Sequence, residues 1–178
     1  MSILKQLRRI EKLSSSVLGK TPTQVFLWNT DSKVIAGGFM PEDNVILINS
    51  IYTELTPTVV GFIAHESRHA YQNEIIAGKL KPKASDQLEQ WQSDFKAQWM
   101  PTEENMSDYA FQTMEIDAIA YSELFLTRFF NKKLKIKVPE TLRVHVDARK
   151  NQIEYDLNFD ILNGFDHQKF MPIPPIKK

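Results

Sequence analysis

Apolar positions along the chain switch between two periods, and the switches mark its elements. Over residues 2–18, Ile3, Leu4, Leu7, Ile10, Leu13 and Val17 recur at helical spacing, while Lys5, Arg8, Arg9 and Lys12 fall mostly on the other side. This predicts an amphipathic helix docked on a sheet; membrane-surface binding is the rival reading, weakened by Glu11 and by the short apolar face. Three β-prone runs follow at 24–28, 33–39 and 44–49, separated by Asn29-Thr30-Asp31-Ser32 and Met40-Pro41-Glu42-Asp43. Connections this short, built of turn residues, predict antiparallel neighbours and hence a three-stranded meander, with Gly37-Gly38 as a bulge.

The rest of the chain reads mainly as helix. Thr56-Pro57 has the form of an N-cap followed by proline at the first helical position, and Gly78 suits a left-handed stop. Between them, Val59, Val60, Phe62, Ile63 and Ala64 make the segment apolar on most sides, as in a helix that crosses the core. Residues 84–99 carry Leu88, Trp91, Phe95 and Trp99 on one stripe of a polar helix. Residues 107–131 are strongly apolar, yet contain Glu115 and Asp117, and a carboxylate in such a setting demands a cation, a metal or hydrogen-bond donors. Lys132, Lys133, Lys135 and Lys137 then read as a solvated face. Beyond Pro139, Leu142–Val146 and Ile153–Tyr155 fit a helix or a strand pair equally, and the Pro-rich tail, 171–178, should be extended. Asp156, Asn158 and Asp160 imitate the start of a calcium loop, but Ile161 and His167 stand where that loop needs glycine and glutamate.

Composition narrows the class. A chain of 178 residues with 25% charged residues and zero formal net charge suits one globular domain, 1–178, with no global field for nucleic acid or an anionic membrane. There is no cysteine, so disulfide and thiolate chemistry are excluded and any zinc must be held by His, Asp or Glu. No apolar run approaches the roughly 18 residues of a membrane span, and the N-terminus lacks a long apolar signal region. The expected setting is soluble and cytoplasmic.

The chemistry concentrates in Ala64-His65-Glu66-Ser67-Arg68-His69-Ala70-Tyr71-Gln72, which contains His-Glu-x-x-His. On a helix the two histidines lie roughly 40° apart and one turn offset, so both imidazoles can reach one metal ion, with Glu66 alongside as a general base. Such a pair needs a third ligand, for which Glu74, Glu89, Glu103, Glu104, Glu115 and Asp117 are candidates. Glu74 lies more than a turn beyond His69 and Glu89 in a wetter setting. Glu115 sits on the buried helix with Ala118 one turn on, leaving room for a second helix, and Asp117 points about 160° away from it. The bland alternative is a pair of hydrogen-bonded core histidines beside an ion pair of Glu66 with Arg68 or Lys79.

His65-Glu66-Ser67-Arg68-His69 together with Glu115-Ile116-Asp117-Ala118-Ile119-Ala120-Tyr121 resembles the gluzincin metallopeptidases, whose third ligand is a glutamate on a later helix. The second segment is also similar to one in the compact ImmA/IrrE-type metallopeptidases of bacteria and their mobile elements. The resemblance covers about residues 44–130. It implies an α+β, zincin-like fold with a small antiparallel or mixed sheet, Zn²⁺ held by His65, His69 and Glu115, Glu66 as general base, and a peptide or protein substrate. In many gluzincins an acidic or amide residue after the alanine supports a zinc histidine; here Ile119 takes that place, so support must come from elsewhere. Tyr109, Tyr121 and His145 are the candidate oxyanion donors, and Val45–Asn49 the candidate strand for pairing with an extended peptide. The rival function is a non-catalytic zincin-like protein that binds metal or a protein partner in a regulatory role.

Overall fold

A computed structural model describes residues 2–30, 36–97, 109–130, 136 and 138–157. The elements run α1 (Ile3–Leu18), β1 (Gln24–Trp28), β2 (Gly37–Met40), β3 (Val45–Asn49), α2 (Pro57–Ile76), α3 (Leu88–Ala97), α4 (Thr113–Phe130) and α5 (Glu140–Leu157). The architecture is α+β, a small mixed sheet on one side of a helical layer. The expected amphipathic first helix forms as α1, and its apolar stripe is spent on the core. Leu7, Ile10, Leu13, Val17 and Leu18 are buried where α1 packs on α2 and β1.

The predicted meander is not what forms. The strand order is β1-β3-β2, with β1 parallel to β3 (Gln24↔Val45 through Trp28↔Asn49) and β2 antiparallel to it. Residues 29–44, which include β2, are long enough for the crossover that a parallel pair requires. The arrangement places Val45-Ile46-Leu47-Ile48, the most apolar of the runs, in the centre, where a strand is covered best. Because both edges of β3 are paired, the expected peptide-binding role of Val45–Asn49 fails; within this sheet the outer strands are β1 and β2. Arg8 of α1 donates Nε–H to the Val25 carbonyl at 3.1 Å, so β1 is partly capped by the helix over it. The expected bulge at Gly37-Gly38 is also absent, since the register runs unbroken from Gly37↔Ile48 to Met40↔Val45. Glycine is needed at 37 for another reason: a Cβ there would stand 2.4 Å from the Leu47 carbonyl oxygen.

The helix carrying His-Glu-x-x-His has the predicted ends. The Thr56 hydroxyl accepts from the Val59 amide at 3.3 Å, Pro57 starts the helix, and Gly78 turns the chain away at φ +69°. Residues 107–131 were expected as one helix, but α4 starts only at Thr113, where Asp94 of α3 accepts from the Thr113 hydroxyl at 2.6 Å and the Met114 amide at 3.1 Å. Trp91 of α3 is fully buried, while Leu88 and Phe95 lie half-buried against the core. The ambiguous segment after Pro139 is one helix, α5, burying Leu142, Val146, Arg149, Ile153 and Leu157 at helical spacing. Helix α4 packs most extensively on α2 and next on α5. Trp99, Glu103, Glu104, the lysine run 132–135 with Lys137, Asn158, Asp160 and the tail 171–178 lie outside the described residues.

A polar knot joins α1 to its surroundings. Glu11, 1% exposed, accepts from Lys20 Nζ at 2.9 Å, the Ser15 hydroxyl at 2.6 Å and the Thr23 amide at 3.0 Å. Lys20 also donates to the Ser15 and Thr23 hydroxyls at 2.8 and 2.7 Å, so the buried charge is paired and hydrogen-bonded throughout. Removing one partner strands the other. Lys20→Met should therefore lower unfolding free energy by about 3 kcal/mol in urea titrations, against about 0.5 kcal/mol or less for the exposed Lys12→Met.

Candidate metal centre

His65 and His69 stand one turn apart on α2, and Glu115 in the first turn of α4 comes up against both. His65 Nε2 lies 3.0 Å from His69 Nε2 and 3.3 Å from Glu115 Oε2, while His69 Nε2 lies 3.2 Å from Glu115 Oε1. The three groups can each turn a ligand atom into one site, all within 4.8 Å of one another. A tetrahedral ion with ligand bonds of about 2.0–2.1 Å separates its ligand atoms by roughly 3.3 Å. The spacing fits an ion of that kind, and the three residues could bind a metal ion.

Glu66 is half-buried on the same turn of α2 as His65, and its charge reaches both His69 and Tyr109. Tyr109, on the approach to α4, donates its hydroxyl to Glu115 Oε1 at 2.5 Å. Burial first, and the charges of Glu115 and Glu66 after it, push the phenol well above the ordinary tyrosine value, so it remains a donor. The other two candidate oxyanion donors are not at the site. Tyr121 is fully buried on the α1 side of α4, its hydroxyl 2.9 Å from the Ser14 hydroxyl, and His145 lies exposed on α5. Of the alternative ligands, Glu89 is exposed at the start of α3, and Glu74 is buried within reach of the Lys20 charge.

Asp117 turns away from the three candidate ligands, as its offset from Glu115 on the helix predicts, and the cation its burial demands is guanidinium. It accepts from Arg68 Nε at 2.7 Å, Arg68 Nη2 at 3.1 Å and Arg149 Nε at 2.7 Å. Burial opposes its ionisation, but Arg68 and then Arg149 outweigh that and hold the carboxyl below its usual value. Arg68 is 2% exposed and its guanidinium lies over the rings of Tyr71, Trp91 and Tyr121 at 4.4, 5.6 and 5.7 Å. It also reaches Asp86 at 3.4 Å. Arg68 is thus committed to Asp117 and Asp86 and does not pair with Glu66.

The support that Ile119 cannot give comes from the histidine helix itself. Gln72 Oε1 lies 2.8 Å from His69 Nδ1, and Gln72 Nε2 donates to Asp117 Oδ2 at 2.7 Å and to the Met114 carbonyl at 3.0 Å. Sequence reasoning missed Gln72 and the pairing of Asp117 with Arg68 and Arg149. The available signal for Gln72 was its place one turn beyond His69 on a helix buried nearly all round, where an amide must find partners. Compared with protein-family models, with curated proteins and with solved structures, the chain matches none.

Burial works against charge on His69, but the Glu115 carboxylate, with Glu66 and Gln72 behind it, raises the ring in the metal-free protein to about 9. A raised folded value means that this contribution to stability is complete below the unfolded value of about 6.5 and is lost as pH rises through about 9. Metal-free protein kept in chelator should therefore melt progressively lower between pH 7 and 9.5, a slope that differential scanning calorimetry should find flattened in His69→Gln.

Proposed function

We propose that the protein is a zinc-dependent metallopeptidase of the gluzincin type, hydrolysing peptide bonds in an extended peptide or protein substrate. The observation that carries this reading is the convergence of two imidazole Nε2 atoms and one carboxylate from a second helix, beside a glutamate on the same turn as the first histidine. Nitrogen and carboxylate donors without any thiolate suit zinc, and three protein ligands leave a fourth position for chemistry. Bound there, zinc supplies a Lewis acid that polarises the scissile carbonyl and acidifies water.

The chain's own residues supply the rest. Glu66 takes the proton of the attacking water and passes it to the leaving amine. Tyr109, protonated at any working pH, is the donor nearest the ligands among the three candidates, and its one hydroxyl hydrogen, turned from Glu115, is the one to aim at the developing oxyanion. With β3 enclosed, the substrate strand is assigned instead to the outer edge of β2, which packs on α2.

Zinc content and hydrolysis separate the parts of this reading. Wild-type protein should bind about one zinc per chain. His65→Ala and Glu115→Ala should lose it, while Glu66→Gln should keep it and lose at least about 100-fold in turnover. Elemental analysis and a peptidase assay across the four proteins check these outcomes. Unchanged turnover in Glu66→Gln would sink the mechanism, and zinc binding with no hydrolysis in the wild type would favour the non-catalytic, regulatory alternative.

A further inference from the structure

Gln72 joins the candidate ligand His69 to the buried charges of the helical layer, and its amide can face only one way. Its NH₂ group lies between Asp117 Oδ2 at 2.7 Å and the Met114 carbonyl oxygen at 3.0 Å. Both partners are acceptors. The carbonyl has nothing to donate, and Asp117 is ionised between two guanidinium groups. Turning the amide over would set its oxygen against both of them and leave three buried acceptors facing one another, a costly arrangement. The Oε1 atom must therefore face His69 Nδ1, where it stands 2.8 Å away and requires an N–H.

We propose that Gln72 is a positioning residue that holds His69 with its proton on Nδ1 and its bare Nε2 turned toward His65 and Glu115. The inference rests on the metal centre proposed above and goes beyond it. A neutral imidazole has two tautomers, and only the one carrying hydrogen on Nδ1 offers Nε2 to a metal. The direction of the amide is decided by the Arg68-Asp117-Arg149 cluster, so a group of charges that touches no ligand selects the ligand's ring form. The Met114 carbonyl adds a second effect, because it belongs to the residue immediately before Glu115. One amide thus fixes the ring on α2 and ties it to the start of α4, where the third ligand stands.

The test uses full-length protein loaded with zinc, and compares wild type with Gln72→Met, close in shape but without the hydrogen bonds, and Gln72→Glu, which, protonated on the oxygen that faces the ionised Asp117, keeps both a donor there and an acceptor for Nδ1. Chelator competition reads zinc affinity, and ¹⁵N-edited spectra of the histidine rings read which nitrogen carries hydrogen and how fast that hydrogen exchanges. Wild type should show a slowly exchanging His69 Nδ1–H. Gln72→Met should lose that protection and bind zinc about 10- to 100-fold more weakly. Gln72→Glu should keep the protected Nδ1–H, a retention that a merely structural role would not require. Wild-type affinity and ring signals in Gln72→Met would overturn the proposal. Should that variant fail to fold, loss of the protected N–H in Gln72→Glu would overturn it instead. A wild type that binds no zinc would overturn the metal centre itself, which is a different result.

Discussion

Asp117 lies fully buried where α2, α4 and α5 meet, and its two oxygens accept from Arg68, Arg149 and Gln72. A bare carboxylate in that position would cost several kcal/mol, and two bare guanidinium groups would cost more. Packed together, with Asp86 reached by both arginines, the charges balance at two of each sign. Such a cluster is a poor source of net stability compared with apolar packing, but it is selective. The rotation of α4 against α2 that satisfies Asp117 also brings Glu115 up to His65 and His69.

The economy of the site follows from this geometry. Helix α2 supplies two candidate ligands, the candidate base and the amide behind one ligand within two turns, so their relative positions are set by helix geometry alone. Only Glu115 and Tyr109 come from outside, the first from the opening turn of α4 and the second from just before it. The variable that matters is therefore the docking of α4 on α2. Asp117 controls it from one side, and the Met114 carbonyl, held by Gln72, controls it from the other.

What could be read from the sequence divides along the same line between local and distant. The caps of α2, the course of α1 and the facing of His65 and His69 are decided within a few residues, and Thr56, Pro57 and Gly78 state them directly. Glu115 was legible because an apolar helix advertises a carboxylate that needs a cation. The order of the strands was not, because alternation says which face of a strand is buried and is silent about its neighbour. Helix α5 was ambiguous because its polar face carries β-branched Val144, and its period becomes plain only when Arg149 is counted among the buried positions. Arg149 could not be counted so from sequence, since an arginine is buried only when a partner awaits it, and its partner Asp117 lies on another helix.

The two carboxylates of α4 show how scaffold and site are kept apart electrically. Asp117 is paired with guanidinium groups, and its charge raises Arg68 above the ordinary arginine value even against burial, so the joint between the helices stays charged. Glu115, two positions away, is paired with imidazoles, which can give up their charge. Without metal, a proton on His69 is the cation that the buried Glu115 needs; a metal ion held by the three residues would take over that role. Had arginine faced Glu115, no such exchange of cation would be available; had histidine faced Asp117, the helix joint would loosen as that ring lost its charge.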